Sequence, residues 1–285
     1  MARPRLPTLT EAATSYLASR RHKALRSTRD VSDQIRWWLA RAGQTPLQAL
    51  TRKVIGQHMR AKMAEDGGKS GATANRYASA LLRVLKHARE DELIAALPDI
   101  PWQRESPKPG RALTREEADR LLAELPTYLR PIVAFALATG LRQANITLLQ
   151  WTAVDMARKH LTVAAEDAKA GKALGIPLSA GALAILEQQV GQNPLWVFPV
   201  AGAPYKYPAG RSFRSAVVRA GLAPFRFHDL RHTFATWHAQ AGTPMDVLQK
   251  LCGWSTQKML ARYSHLSPGY VAQYADNVAE ARRNG

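Results

Sequence analysis

His228-Asp229-Leu230-Arg231-His232, followed by Gly253-Trp254 and then by Arg262-Tyr263, is the stretch on which the reading of this chain turns. Upstream of it, Thr139-Gly140-Leu141-Arg142 supplies a second arginine just after a glycine turn. Guanidiniums are planar and permanently charged, and each can bond two nonbridging oxygens of a phosphodiester. A histidine and an indole N–H add donors, and the phenol of a following tyrosine can attack in line. This order of residue types predicts a site that stabilises charge on a reacting phosphoryl group, with Arg142 and Arg231 as the clamp.

Composition agrees with a polyanionic partner. The chain has 285 residues, with 40 Lys or Arg against 22 Asp or Glu, a net charge of +18. An excess of this size points to nucleic acid before any other ligand. A hydrophobic content of 46% is typical of a folded chain rather than a disordered one, and the length allows two domains. The single cysteine, Cys252, excludes an internal disulfide and suits a reducing compartment. It reads as a small core residue, not a nucleophile. No apolar run reaches the roughly 20 residues that span a bilayer, and Met1-Ala2-Arg3-Pro4-Arg5 lacks the apolar stretch of a signal peptide, so no membrane partner and a cytoplasmic location are expected.

The fold class expected is mainly α with a small β-hairpin or sheet. Gln103 to Arg111 holds two prolines, a glycine and charges without apolar periodicity, which marks a linker. Before it, apolar residues recur at helical spacing over about 8–19, 28–41, 51–65 and 72–91, a small helical domain. Residues 1–110 hold 20 Lys or Arg against 10 Asp or Glu, with Arg20, Arg21, Lys23, Arg26 and Arg29 the densest run. After the linker, Thr114 and Glu117 predict a capping box and a helix to about Leu125, and 127–138 reads as a buried helix that Thr139-Gly140 interrupts. Leu161–Ala164 and Leu174–Leu178 predict a hairpin whose turn carries Lys169, Gly171 and Lys172. Helices are expected at about 180–191, 209–220, 229–241, 244–252, 256–264 and 269–282, with a short strand near 196–198.

Taken in order, these motifs resemble those of the tyrosine recombinases of the phage integrase family, which includes Xer-type resolvases and site-specific integrases. The resemblance is strongest in the final third, where order and spacing both agree; over residues 1–110 it rests on size, helicity and charge. It implies a helical core-site-binding domain at 1–102, a linker at 103–111 and a mixed α/β catalytic domain at 112–285. It also implies site-specific cleavage and rejoining of DNA through a 3′-phosphotyrosine link that frees a 5′ hydroxyl. The covalent bond conserves the energy of the phosphodiester, so neither a metal nor any cofactor is expected.

The resemblance assigns roles residue by residue. Tyr263 is the nucleophile because it follows Gly253-Trp254 by the family's spacing, with Tyr270 and Tyr274 as neighbours. Arg142 and Arg231 clamp the phosphate, and His228 donates a hydrogen bond or accepts the tyrosine proton. Trp254 stands where most members carry histidine; it can donate and pack but cannot exchange a proton. The family places a general-acid lysine in the hairpin turn, which makes Lys169 the first choice and Lys172 the alternative. Asn145 stands where an acidic residue is common and brings no charge to Arg142. His228 and His232, four apart with an acid between them, also resemble a zinc-hydrolase motif, but the acid is Asp229 in place of glutamate, and Arg231 would set a fixed cation beside the metal. His232 is read instead as a supporting hydrogen-bond donor.

The partners implied are double-stranded DNA with inverted core sites, a homo-tetramer on that DNA and an accessory directionality factor or DNA-bending protein. Pro268–Arg283 looks amphipathic and is expected to dock on a neighbouring protomer. An arm-site domain is expected to be absent, and the protein to be nucleoid-associated when bound. Two alternatives stand beside this reading: a type IB topoisomerase-like relaxing enzyme, and a DNA-binding regulator that kept the fold without turnover.

Overall fold

The computed structural model describes residues 6–25, 27–65, 67, 71–105, 110–164, 173–254 and 256–263. The fold is mostly helical with a small antiparallel sheet, and the chain divides into two compact units, Met1–Lys108 and Pro109–Gly285. No helix among the described residues is long and apolar enough to cross a membrane.

The first unit is built from α1 (Leu9–Ala18), the single turn α2 (Arg20–Lys23), α3 (Thr28–Ala42), α4 (Arg52–Glu65) and α5 (Gly71–Glu90). Thr8 and Glu11 satisfy each other's backbone N–H groups at the start of α1, a reciprocal cap that fixes where the helix begins. Ser19 then adopts an extended conformation and caps α2, so the expected helix over 8–19 ends a residue early and restarts. α5 packs against α1, α3 and α4 through a face of Ala74, Ala78, Leu81, Val84, Leu85 and Ala88. The small residues on that face allow close approach, and Trp38 on α3 adds an indole N–H donated to the Tyr77 carbonyl at 2.8 Å. Gln103 and Glu105 belong to this unit's surface, where both accept from or donate to the Asn75 side chain.

The second unit opens with Arg111, which pairs with Glu117 and donates to the Leu222 carbonyl at 3.0 Å. The capping box of Thr114 and Glu117 starts α6 (Arg115–Glu124), followed by α7 (Arg130–Thr139) and the short α8 (Gln143–Thr147). A three-stranded antiparallel sheet comes next, β1 (Val154–Asp155), β2 (His160–Val163) and β3 (Leu174–Pro177), in that spatial order. Leu161 sits opposite both Val154 and Ile176, which sets the apolar face of the sheet on the core. Then come α9 (Ala180–Glu187), a two-residue ribbon of β4 (Pro199–Val200) with β5 (Ala203–Pro204), and α10 (Arg211–Arg219). α11 (Asp229–Gln240) lies on α7, and α12 (Met245–Cys252) lies on α11.

Three expectations need correction. The helix expected near 256–264 is present as a 3-10 helix, Gln257–Arg262, and not an α-helix. Three residues per turn bring Leu260 and Tyr263 onto one side, and both are buried in a cluster with Phe234, Ala235, Ala239, Leu248 and Cys252. The strand near 196–198 is only a bridge between Trp196 and Gln150. The Asn193 side chain accepts from the N–H groups of Leu195 and Trp196, which bends the chain out of a ladder until Pro199. The helix from 180 stops at Glu187, with Gly191 in the left-handed region just beyond. The expected helix over 269–282 and the docking stretch 268–283 lie outside the described residues.

Candidate active site

Two glycines shape the site before any charged group enters it. α7 ends on Gly140 (φ 62°) and α12 ends on Gly253 (φ 56°), both left-handed. A Cβ at Gly140 would collide with the Phe234 ring, and one at Gly253 with the Leu174 side chain. Such turns leave the last carbonyls of a helix without intrahelical donors. Arg231, in the first turn of α11, supplies them. Its Nη1 donates to the Gly140 carbonyl at 2.6 Å and its Nη2 to the Cys252 carbonyl. The residue is only 7% exposed, and burial pulls its pKa below the usual guanidinium value, although an arginine stays charged there. A cation at two helix C-termini is electrostatically favoured, so one side chain bolts three helices together.

Arg142 is held quite differently. It is the N-cap residue of α8, extended and half-buried, and among the described residues its side chain makes no hydrogen bond or ion pair. Its charge is felt at His228, Arg231 and Cys252, whose pKa values it lowers. Asn145, three residues on in the same helix, makes no bond to it. Two guanidiniums facing one region without a counter-charge repel, and an anion between them removes the cost.

His228 caps the start of α11 with much of its surface open. Desolvation of the ring and the Arg231 guanidinium hold its pKa below the ordinary histidine value, helped by Arg226 and Arg142 and opposed by Asp229. Asp229 is itself buried and takes a two-pronged ion pair from Arg226, with contacts of 2.8 and 3.0 Å. Its carboxylate is committed to that pair, and among the described residues no group of three or more metal-ligating side chains gathers. Cys252 is fully buried, and its thiol is pushed up to about 11, which leaves it protonated and unreactive.

Tyr263 lies at the end of the 3-10 helix, 5% exposed. The Trp254 ring stacks on it at 5.3 Å between centroids and 15° between planes, and the Arg231 guanidinium carbon lies 5.7 Å from the Trp254 centroid. On its other side is His232, whose Nδ1 is 2.7 Å from the phenolic oxygen. The structure thus gathers Arg231, Trp254, Tyr263 and His232 in contact, with Arg142 and His228 within electrostatic reach. Lys169 and Lys172 fall outside the described residues. The His232 contact is what the sequence reading missed. His232 stood in the quoted motif, but nothing in a linear pattern pairs it with a residue 31 positions on.

Residues 111–269 match the phage integrase family. The chain is 37% identical over 220 residues to the integrase of Salmonella phage P22, which covers 73% of this chain and 56% of that one. It is 29% identical over 222 residues to the tyrosine recombinase XerC of Erythrobacter litoralis, covering 68% of this chain and 69% of the relative. The chain therefore spans little more than half the length of the P22 protein. In fold it is similar to the Tn1549 transposon integrase in complex with a circular intermediate DNA, with a TM-score of 0.76, 18% identity and coverage of 90% and 94%. It is also similar to a lambda integrase tetramer bound to a Holliday junction, with a TM-score of 0.75, 21% identity and coverage of 93% and 79%. Both arginines, His228, Trp254 and Tyr263 fall inside the matched span, and the chain belongs to the phage integrase family of tyrosine recombinases.

Proposed function

We propose that this protein is a site-specific DNA recombinase that cleaves and rejoins strands through a 3′-phosphotyrosine at Tyr263. The observation that carries the reading is the anchored guanidinium of Arg231 next to the stacked Trp254 and Tyr263 rings, with the charge of an unspent Arg142 felt at it. Together the two cations attract a phosphodiester and stabilise the charge that builds on its oxygens as Tyr263 attacks. Trp254 packs the nucleophile and donates from its indole, and His228 adds a donor at the helix start. Lys169 protonates the departing 5′ oxygen, with Lys172 the alternative; a 5′-bridging sulfur, which leaves without a proton, rescues whichever lysine variant has lost the acid.

The net charge of +18 supports a DNA partner, as do the relatives named integrase and recombinase and the DNA-bound structures of similar fold. The first unit, as a core-site-binding domain, adds backbone contacts, and four protomers on paired inverted sites exchange the strands. An accessory directionality or DNA-bending factor sets the outcome, and the reaction takes place in the cytoplasm on the nucleoid.

Incubation with nicked candidate-site DNA tests the reading. Wild type forms a protein–DNA adduct stable to denaturant and unaffected by EDTA, and Tyr263→Phe binds the site but forms none. An adduct of normal yield from Tyr263→Phe would move the nucleophile elsewhere.

A further inference from the structure

We propose that His232, and not His228, is the general base that takes the proton of Tyr263. The inference rests on the reading of Tyr263 as nucleophile and adds a residue to it. A phenol with a pKa near 10 is almost wholly protonated at neutral pH, so in-line attack needs an acceptor for its proton at hydrogen-bond distance. The His232 Nδ1 lies 2.7 Å from the Tyr263 oxygen, inside the range expected of a base and its substrate. His228, four residues earlier on α11, sits at the open N-cap.

The surroundings fix that geometry. Trp254 stacks on one side of the phenol, and the His232 ring lies at 5.1 Å and 51° to it on another. Behind the imidazole is Gly110, where an added Cβ would come 2.8 Å from the His232 Cδ2, so the ring has little room to turn. Thr233, the next residue of α11, accepts from the Leu113 N–H at 3.1 Å and so holds the segment that carries Gly110 against the helix. Base and nucleophile are thereby set by two elements that meet at one buried cluster.

The step balances in atoms and charge. The neutral tautomer protonated at Nε2 accepts the phenolic proton at Nδ1. The oxygen of Tyr263 forms a bond to phosphorus, and the bond from phosphorus to the 5′ oxygen breaks with protonation of that oxygen by the general acid. Rejoining runs the same path backward, with the imidazolium returning its proton to the departing phenol. The Arg231 guanidinium, next to the Trp254 ring that stacks on Tyr263, favours the phenolate as it develops.

The test is single-turnover adduct formation on nicked site DNA by His232→Asn, which keeps an acceptor oxygen near the phenol but cannot take a proton. The expected loss is about 10²-fold or more in rate, with DNA affinity and thermal unfolding retained. Placing 3,5-difluorotyrosine at position 263 alone supplies a phenol that ionises near neutral pH, and it should restore most of the lost rate in His232→Asn. His232→Gln is the second variant, with the same rescuable loss expected should asparagine disturb the fold. An unchanged rate in His232→Asn, or a loss that the fluorinated phenol leaves unrepaired in both variants, overturns the proposal. So does rescue of His228→Gln in place of His232→Asn. Adduct formation by Tyr263→Phe is a different result: it removes the nucleophile assignment beneath the proposal.

Discussion

The first turn of α11 and the start of α8 each present an arginine to the same region, and the protein holds the two in opposite ways. Arg231 is buried and spends its terminal nitrogens on the last carbonyls of α7 and α12. Arg142 is half-buried and spends nothing on the protein among the described residues. One cation is therefore part of the scaffold that defines the site, and the other is left uncommitted by the protein. Under the proposed function, a clamp made this way would have one rigid jaw, set by the protein alone, and one jaw whose bonds form when phosphate arrives.

The contrast breaks most visibly at Arg231. Arg231→Ala should abolish adduct formation and also lower stability, by about 1–3 kcal/mol for each buried carbonyl left unpaired, read as a drop in the urea midpoint. Arg142→Ala should cost about 10³-fold in adduct rate, the scale of a guanidinium lost from a phosphoryl-transfer site. Its unfolding free energy, read from the urea titration, should stay within about 0.5 kcal/mol of wild type. If the two variants unfold at the same midpoint, the division into scaffold and ligand arginine is wrong.

Gly140→Ala attacks the rigid jaw from behind. The left-handed conformation and the Phe234 ring both oppose a side chain there, so a loss of about 1–3 kcal/mol is expected, together with a slower adduct rate because the carbonyl that positions Arg231 moves. A Gly140→Ala protein with wild-type midpoint and rate would detach Arg231 from that turn.

Acid has the smallest effect. His228 and His238 both have folded pKa values below the ordinary one, chiefly through burial. A histidine of that kind binds its proton more readily when unfolded. Stability is therefore flat above about pH 6.5 and declines as the pH falls through that value toward the lower folded pKa. Thermal melts from pH 7.5 to 5.5 should show the decline, and His228→Gln should make it shallower. An increase in melting temperature over the same interval would contradict the assigned direction.

Much of the candidate site was legible because its parts are carried by local chemistry. A glycine before Arg142, a capping box at Thr114 and the cluster from His228 to His232 each read within a few residues. The paired strands around Leu161 and Ile176 were legible for the same reason, through alternation and a polar turn. What stayed hidden depends on contacts across long stretches of chain. The carbonyls of Gly140 and Cys252 meet Arg231 only after three helices pack, and Tyr263 meets His232 only because the 3-10 helix turns it into the cluster with Leu260. A helix was legible there, but its 3-10 winding was not, since burial of two residues three apart decides it over the weak local preference of six residues. The false strand at 196–198 had the right apolar residues, but the Asn193 side chain outside it took the Trp196 donor, and only a single bridge formed.

The central claim is that Tyr263 becomes covalently joined to DNA, and the most direct measurement locates that bond. Wild-type protein is trapped on nicked site DNA, digested with nuclease and trypsin, and the modified peptide is fragmented in a mass spectrometer. Cleavage after Arg262 leaves Tyr263, Tyr270 and Tyr274 on one peptide, so the fragment ions must decide among them. The account predicts the nucleotide mass on Tyr263 alone; a mass on Tyr270, Tyr274 or any residue outside this peptide would contradict it.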